Sequence, residues 1–182
     1  MRYNSDQLEE QAALQTAAAM CAAARTAPKG HGKDTIHTLV LTGEDKNDFC
    51  EKMEQVGARE MGDKSWTWYG RDADCVRKAN ALVLIAADRK QRGVPHCGFC
   101  GFGDCGGCAK AGGTCGFAFA DLGIACGAAV CAAESGGVDN RIMYSVGKTA
   151  EENGLFPGCA CLGIPISITG KDIFRDRGIT HD

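Results

Sequence analysis

Apolar positions along the chain fall into three patterns: small-residue helical stretches, short β-branched runs, and a central stretch with no period. The first small-residue stretch, about 6–25, holds Ala17-Ala18-Ala19 and Ala22-Ala23-Ala24. It predicts a helix opened by Asp6 with Glu9 as a capping pair and closed before Pro28. Its small side chains let another backbone come close, so it is expected to be buried or at a subunit interface. Residues 35–42 (TIHTLVLT) read as a strand. Asp45 is expected to cap a helix with the stripe Phe49, Met53 and Val56. Trp66, Trp68 and Tyr69 are read as an aromatic loop, whose rings pack locally or stack on a ligand. A short helix near 73–79 leads into 81–87 (ALVLIAA), which is apolar on both faces and therefore central. A second small-residue helix is predicted from 117 to about 135. Val138-Asp139-Asn140 is expected to cap a further helix reaching Gly154, with Arg141 ion-paired at that cap. Residues 159–169 (CACLGIPISIT) read as a last strand, placed at an edge or a bulge by Pro165. The charged tail, 171–182, reads as peripheral.

Residues 93–116 fit none of these patterns. Glycine supplies nine of the 24 positions, which argues against regular structure. The chain is thus read as one domain, 1–182, with 93–116 inserted between a central strand and a core helix.

Composition sharpens that reading at one point. Of 182 residues 45% are hydrophobic, enough for one packed core, and the net charge of -3 gives no support to a nucleic-acid partner. Twelve cysteines are the anomaly. Five crowd into 97–115, which suits a metal held by several thiolates better than long-range disulfides. The polar start carries no apolar signal segment, and no apolar run of membrane-spanning length is read. A reduced, cytoplasmic protein without a membrane partner is expected.

The loop reads Cys97-Gly-Phe-Cys100-Gly-Phe-Gly-Asp-Cys105-Gly-Gly-Cys108, then Cys115. A cubane [4Fe-4S] cluster needs four thiolates converging on one small centre. Cys-x-x-Cys aims two sulfurs at one point, and glycines let backbone N–H groups turn toward sulfur. Arg89, Lys90, Arg92, His96 and Lys110 are basic neighbours for an anionic cluster. Cys97, Cys100 and Cys105 are the first three ligands, and the fourth is Cys108 or Cys115; spacing does not choose. A structural zinc site is the rival, but zinc pairs are usually set further apart than these.

Several stretches resemble the ferredoxin-domain-containing proteins of the domain of unknown function 2148: APKGHGKDTI at 27–36, CGFCGFGDC at 97–105, DLGIACGAAV at 121–130, VDNRIMYSVG at 138–147 and GIPISITGKDIFRDR at 163–177. In that pattern a cysteine recurs at the position of Cys115, so the resemblance implies Cys97, Cys100, Cys105 and Cys115 as ligands. The chain departs from it in carrying Cys126, Cys131, Cys159 and Cys161 where small or aliphatic residues are expected. Ala24-Arg25-Thr26-Ala27-Pro28-Lys29 is similar to a stretch of the nitroreductase-like flavoproteins. That resemblance implies an α+β fold (an α/β sandwich), with a mixed sheet flanked by helices, a homodimer, and FMN with its phosphate near Arg25, Lys29 and Lys33. The paired arginines and the Asn-x-Gln-Pro-Trp stretch of those proteins are absent.

Outside the loop, Cys126 and Cys131 on a helix and Cys159 and Cys161 on a strand would form a second metal site if the helix packs on the strand. Otherwise they are buried small hydrophobes. His31, His37, His96 and His181 share no ligand spacing. No catalytic residue is identified. The expected function is an iron–sulfur oxidoreductase passing electrons between the cluster and a flavin or small-molecule substrate. A non-catalytic electron-transfer module docking a redox partner protein is the alternative.

Overall fold

The computed structural model describes residues 1–62 and 68–175. In chain order it runs α1 (Ser5–Thr26), a 3-10 turn at Gly30–Gly32, β1 (Ile36–Leu41), α2 (Gly43–Met61), α3 (Trp68–Lys78), β2 (Ala81–Asp88), α4 (Cys105–Lys110), α5 (Gly116–Ser135), β3 (Asp139–Asn140), α6 (Tyr144–Glu152) and β4 (Cys159–Ser167). The strands form one sheet in the order β1-β2-β4-β3, with every pairing antiparallel. This is the expected α+β sandwich, with a sheet more uniform among the described residues than a mixed one.

The continuous apolar run of β2 is explained by its place. Val83 and Ile85 face α1 and α5, while Leu82, Leu84 and Ala86 face α2, α3 and α6. All four of its large aliphatic side chains are fully buried, each contributing about 2 kcal/mol by leaving water. On one side Ala13, Ala17 and Ala24 of α1 meet Ala125, Ala129 and Ala133 of α5, so the small-residue stretches bring two helices together over the sheet. On the other, Phe49, Met53 and Val76 close the second core. There α6 lies directly on β4. A Cβ on Gly147 would land on the Cys161 carbonyl oxygen, so only glycine permits that approach.

Several expectations are corrected. The capping box of α1 is Asn4 with Gln7, two residues earlier than Asp6 with Glu9. Thr42, not Asp45, is the N-cap of α2. Asp139 and Asn140 do not cap a helix; they pair with Ser167 and Ile166 as β3. Arg141 donates to the Phe174 carbonyl. Pro165 sits in an inner strand, paired with Leu82. The register explains the tolerance. Ile166 faces β2, accepting from Asn80 N–H, whereas Gly163 and Ser167 bond the β3 side. Pro165 shares their side, where the pairing lapses between Asn140 and Met143, so no ladder bond needs its missing N–H. Trp68 opens α3 and stacks on Tyr144 at 6.0 Å, while Trp66 lies outside the described residues. Phe174 is buried in the α2–α3–α6 core, so the tail is anchored at that point. Contrary to the reading that no apolar run is long enough, α5 has the length and composition of a membrane span, the one such helix among the described residues. Its alanine face packs on α1 and the sheet, as a core helix does.

Candidate metal centre

The connection from β2 to α5, residues 89–115, is pinned at both ends. Arg92 turns inward, 1% exposed, and its Nε donates to Asp121 of α5 at 3.0 Å. Its Nη1 donates to the carbonyls of Asp88 and Lys90. Asp121 also accepts the Gly30 N–H at 2.8 Å. Arg92 therefore supports the loop from below, whereas the sequence suggests it as a counter-charge to the cluster; its guanidinium is buried on Asp121 instead. At the far end Cys115 N–H donates to the Arg89 carbonyl at 3.1 Å. Arg89 itself bonds the Cys159 carbonyl at 3.0 Å and pairs with Glu151 at 2.7 Å.

Between these anchors the glycines do local work. Gly101 and Gly103 take φ values of 81° and 74°, which bend the loop back on itself at little cost. Asp104 then caps α4, its Oδ1 accepting the Gly107 N–H at 2.7 Å. The expectation that 93–116 holds no regular structure is corrected to this extent: α4 carries Cys105 and Cys108.

The Cys100 and Cys108 thiols act on each other's titration, and Cys115 acts on that of Cys108 through its charge. These thiols thus act on one another in pairs, but among the described residues no three loop sulfurs lie within 4.8 Å of one another. The N–H of Phe102 leads the groups that favour the Cys100 thiolate, with burial opposing; Cys108 and the N–H groups of Cys100 and Gly116 add to it and hold the thiol below its ordinary value. Gln91 donates to Cys108 Sγ at 3.3 Å and favours the thiolate there. Burial and the neighbouring sulfurs of Cys100 and Cys115 outweigh it, so the Cys108 thiol titrates above its ordinary value. Cys115 is buried at the N-cap of α5, where helix N–H groups lend partial positive charge. Cys97 and Cys105 flank this group and are half-exposed. The chemistry of the donor set fits an iron–sulfur cluster: five thiols on one short loop, with N–H groups that favour the Cys100 thiolate. Lys90, His96 and Lys110 are exposed near it.

Other candidates disperse. Cys126 lies in the α1–α5 core, Cys159 and Cys161 lie in the opposite one, and Cys131 is exposed. The sheet itself separates Cys126 from the strand pair, so these thiols form no second cluster among the described residues. Arg25 binds the Ile36 carbonyl and Asp34. Lys29 binds the carbonyls of Arg25 and Ala27. Lys33 is exposed, its Nζ beside Gly93. One grouping escaped sequence reasoning: His37, Asp88 and Cys159 meet at the end of the sheet. Its only signal is register across three strands, which no spacing in one strand reveals.

The fold and the loop together define a class: an α+β sandwich of nitroreductase type carrying a thiol-rich loop. The fold neighbours include a putative nitroreductase in complex with FMN from Desulfovibrio desulfuricans, 15% identical with a TM-score of 0.54, covering 87% of this chain and 75% of that one. A nitroreductase with bound FMN from Bacteroides fragilis is 16% identical with a TM-score of 0.54, over 99% and 88% of the two chains. At such identities the likeness concerns the fold. A protein of Archaeoglobus fulgidus, described only as uncharacterized, is 36% identical over 97% of this chain and 98% of its own length. The profile of the domain of unknown function 2148, "uncharacterized protein containing a ferredoxin domain", matches residues 111–177. The chain belongs to this ferredoxin-domain-containing family. The matched segment includes Cys115 and begins after Cys108.

Proposed function

We propose that this protein is an iron–sulfur redox protein whose loop holds one [4Fe-4S] cluster through Cys97, Cys100, Cys105 and Cys115, with Cys108 as the alternative fourth ligand. The observation that supports this reading is five cysteines on one loop pinned at both ends, with the Cys100 and Cys108 thiols interacting and Cys115 held at the N-cap of α5. A bound cluster would supply one-electron transfer, and the loop's N–H donors would tune its potential. Cys115, at the N-cap of α5, is the fourth ligand that the family pattern supports; Cys108, buried on α4, is the alternative. The test is iron and acid-labile sulfide analysis of anaerobically purified protein. Four irons and four sulfides per chain are expected, whereas zinc in their place refutes the cluster. Cys115→Ser should leave a reduced cluster content, and Cys108→Ser/Cys115→Ser none.

Two extensions belong to the same proposal. FMN in fold neighbours supports a flavin as electron partner, making the protein an oxidoreductase. Of the three cations considered for its phosphate, Arg25 and Lys29 are already engaged by protein oxygens, which leaves Lys33 as the main source of charge. Flavin quantitation, and titration with added FMN, decide this arm; absence of both bound and added flavin leaves an electron-transfer module that docks a redox partner. We also propose a homodimer through the outer face of α5, where Phe119 and Ile124 are exposed beside Gly123 and Gly127. Light scattering at the elution peak should give twice the chain mass of 19.1 kDa.

A further inference from the structure

The end of the sheet nearest the loop brings three unlike donors together. His37 on β1, Asp88 at the end of β2 and Cys159 at the start of β4 place their donor atoms within 4.8 Å of one another. Register puts them on one face: Asp88 is opposite Cys159, and His37 is opposite Ala86, two positions back along the same strand. The His37 Nε2 to Asp88 Oδ1 distance is 3.1 Å, and Cys159 Sγ to the same oxygen is 3.3 Å. With zinc bonds to N and O near 2.0 Å and to S near 2.3 Å, a tetrahedral ion separates such ligand atoms by about 3.3–3.5 Å. The His37–Asp88 and Cys159–Asp88 separations lie within a few tenths of an ångström of these values, and His37 and Cys159 lie within 4.8 Å of each other.

We propose that His37, Asp88 and Cys159 form a mononuclear site for a zinc-class divalent cation, with a solvent water in the fourth position. One thiolate, one imidazole and one carboxylate are the borderline donors such a cation takes. The side chains of His37 and Asp88 are 47% and 33% exposed, which gives the ion an entrance and its water a place, while Cys159 is 6% exposed. The backbone beneath is fixed: Asp88 N–H donates to the Thr35 carbonyl at 3.0 Å and Arg89 N–H to Gly158 at 3.1 Å. Arg89 is taken up by Glu151 and Arg92 by Asp121, and neither guanidinium bonds the Asp88 carboxylate; Lys90 acts on that carboxylate through its charge. Binding replaces the Cys159 Sγ–H proton, which leaves to solvent, and changes no oxidation state. Three protein ligands with an open fourth place is the arrangement of zinc sites that act on substrates or water rather than of structural ones. Arg89 joins this site to the loop, since it bonds Cys159 on one side and receives Cys115 N–H on the other.

The site is independent of the cluster and is tested apart from it. Anaerobically purified full chain is incubated with one equivalent of zinc, desalted, and analysed for zinc, iron and sulfide, with X-ray absorption at the zinc edge. One zinc per chain, with a single sulfur neighbour among N/O ligands, is expected. His37→Gln and Cys159→Ala should each lose that zinc with iron unchanged; His37→Gln, at an exposed position, guards against a folding failure of the other. The proposal is overturned if wild type retains no zinc, if His37→Gln retains it, or if the zinc shows four sulfur neighbours and so occupies the cluster cysteines.

Discussion

The cysteines of the loop and the cysteines of the core share one side chain and behave as different chemistry. In the loop, N–H groups of Phe102 and Gly116 point at Cys100 and favour its charged form. In the core, Cys126 has no such donors, and burial alone pushes its thiol up to about 12. Cys159 is pushed up to about 11, by burial first and then by Asp88. Cys161 is raised further, again chiefly by burial. A thiolate is favoured where the backbone turns N–H groups toward sulfur, as the glycine-rich loop does at Cys100 and a helix interior does not at Cys126. Cys126, packed between α1 and the sheet, is a small apolar residue.

The largest effect expected is loss of the whole cofactor. Cys100→Ser should remove nearly all iron and sulfide from anaerobically purified protein, while Cys126→Ala should leave both unchanged. If the two variants lose iron equally, the division between the cysteine sets fails.

Much of this division was legible before the fold was known. The spacing of Cys97, Cys100 and Cys105 and the density of glycine identified the loop, and the two-faced apolar run 81–87 located the central strand. Whatever depends on register was not legible. Cys126 and Cys161 looked able to converge because the helix and strand do pack, yet the pleat directs Cys161 to the opposite side of the sheet. Pro165 looked like an edge marker because sequence does not show which neighbour each N–H faces. Arg92 looked like a cluster counter-charge because it lies beside the cysteines in the chain; its partner, Asp121, is 29 residues away.

That ion pair provides the next test, because it holds the loop to the core. Asp121→Ala leaves the Arg92 guanidinium buried without its carboxylate, and Gly30 N–H without its acceptor. Removing one partner of a buried pair costs about 3–5 kcal/mol. Urea unfolding should show a loss of that order, with reduced cluster content from a loop no longer anchored. A loss below about 1 kcal/mol would mean that the loop is held by the cluster itself.

Alkali should separate the two sets further. The Cys126 thiol is raised in the folded chain, from 9.0 to about 12. Its contribution is therefore fully present below 9.0 and is lost as pH rises from there toward about 12, because only the unfolded thiol ionises in that window. At pH near 10.5 the linkage amounts to about 2 kcal/mol. Cys126→Ala should cost about 1 kcal/mol at neutral pH from its small cavity, yet lose less stability than wild type between pH 8 and 10.5. Parallel losses in the two proteins would show that burial does not govern this thiol.

The smallest effect should come from Cys131, which belongs to neither set. It is exposed on α5, five residues from buried Cys126. At 3.6 residues per turn that spacing sends two side chains to different faces, which is why one is packed under the sheet and the other meets solvent. Cys131→Ser should change unfolding stability by less than about 0.5 kcal/mol, as surface substitutions usually do, and leave iron content untouched. Iodoacetamide should label Cys131 in the native protein at neutral pH and spare Cys126, read by peptide mass mapping. Iron loss in Cys131→Ser would show that the core-side cysteines share a metal after all. Protection of Cys131 from the reagent, with iron retained, would point instead to a second copy covering the α5 face that exposes Phe119 and Ile124.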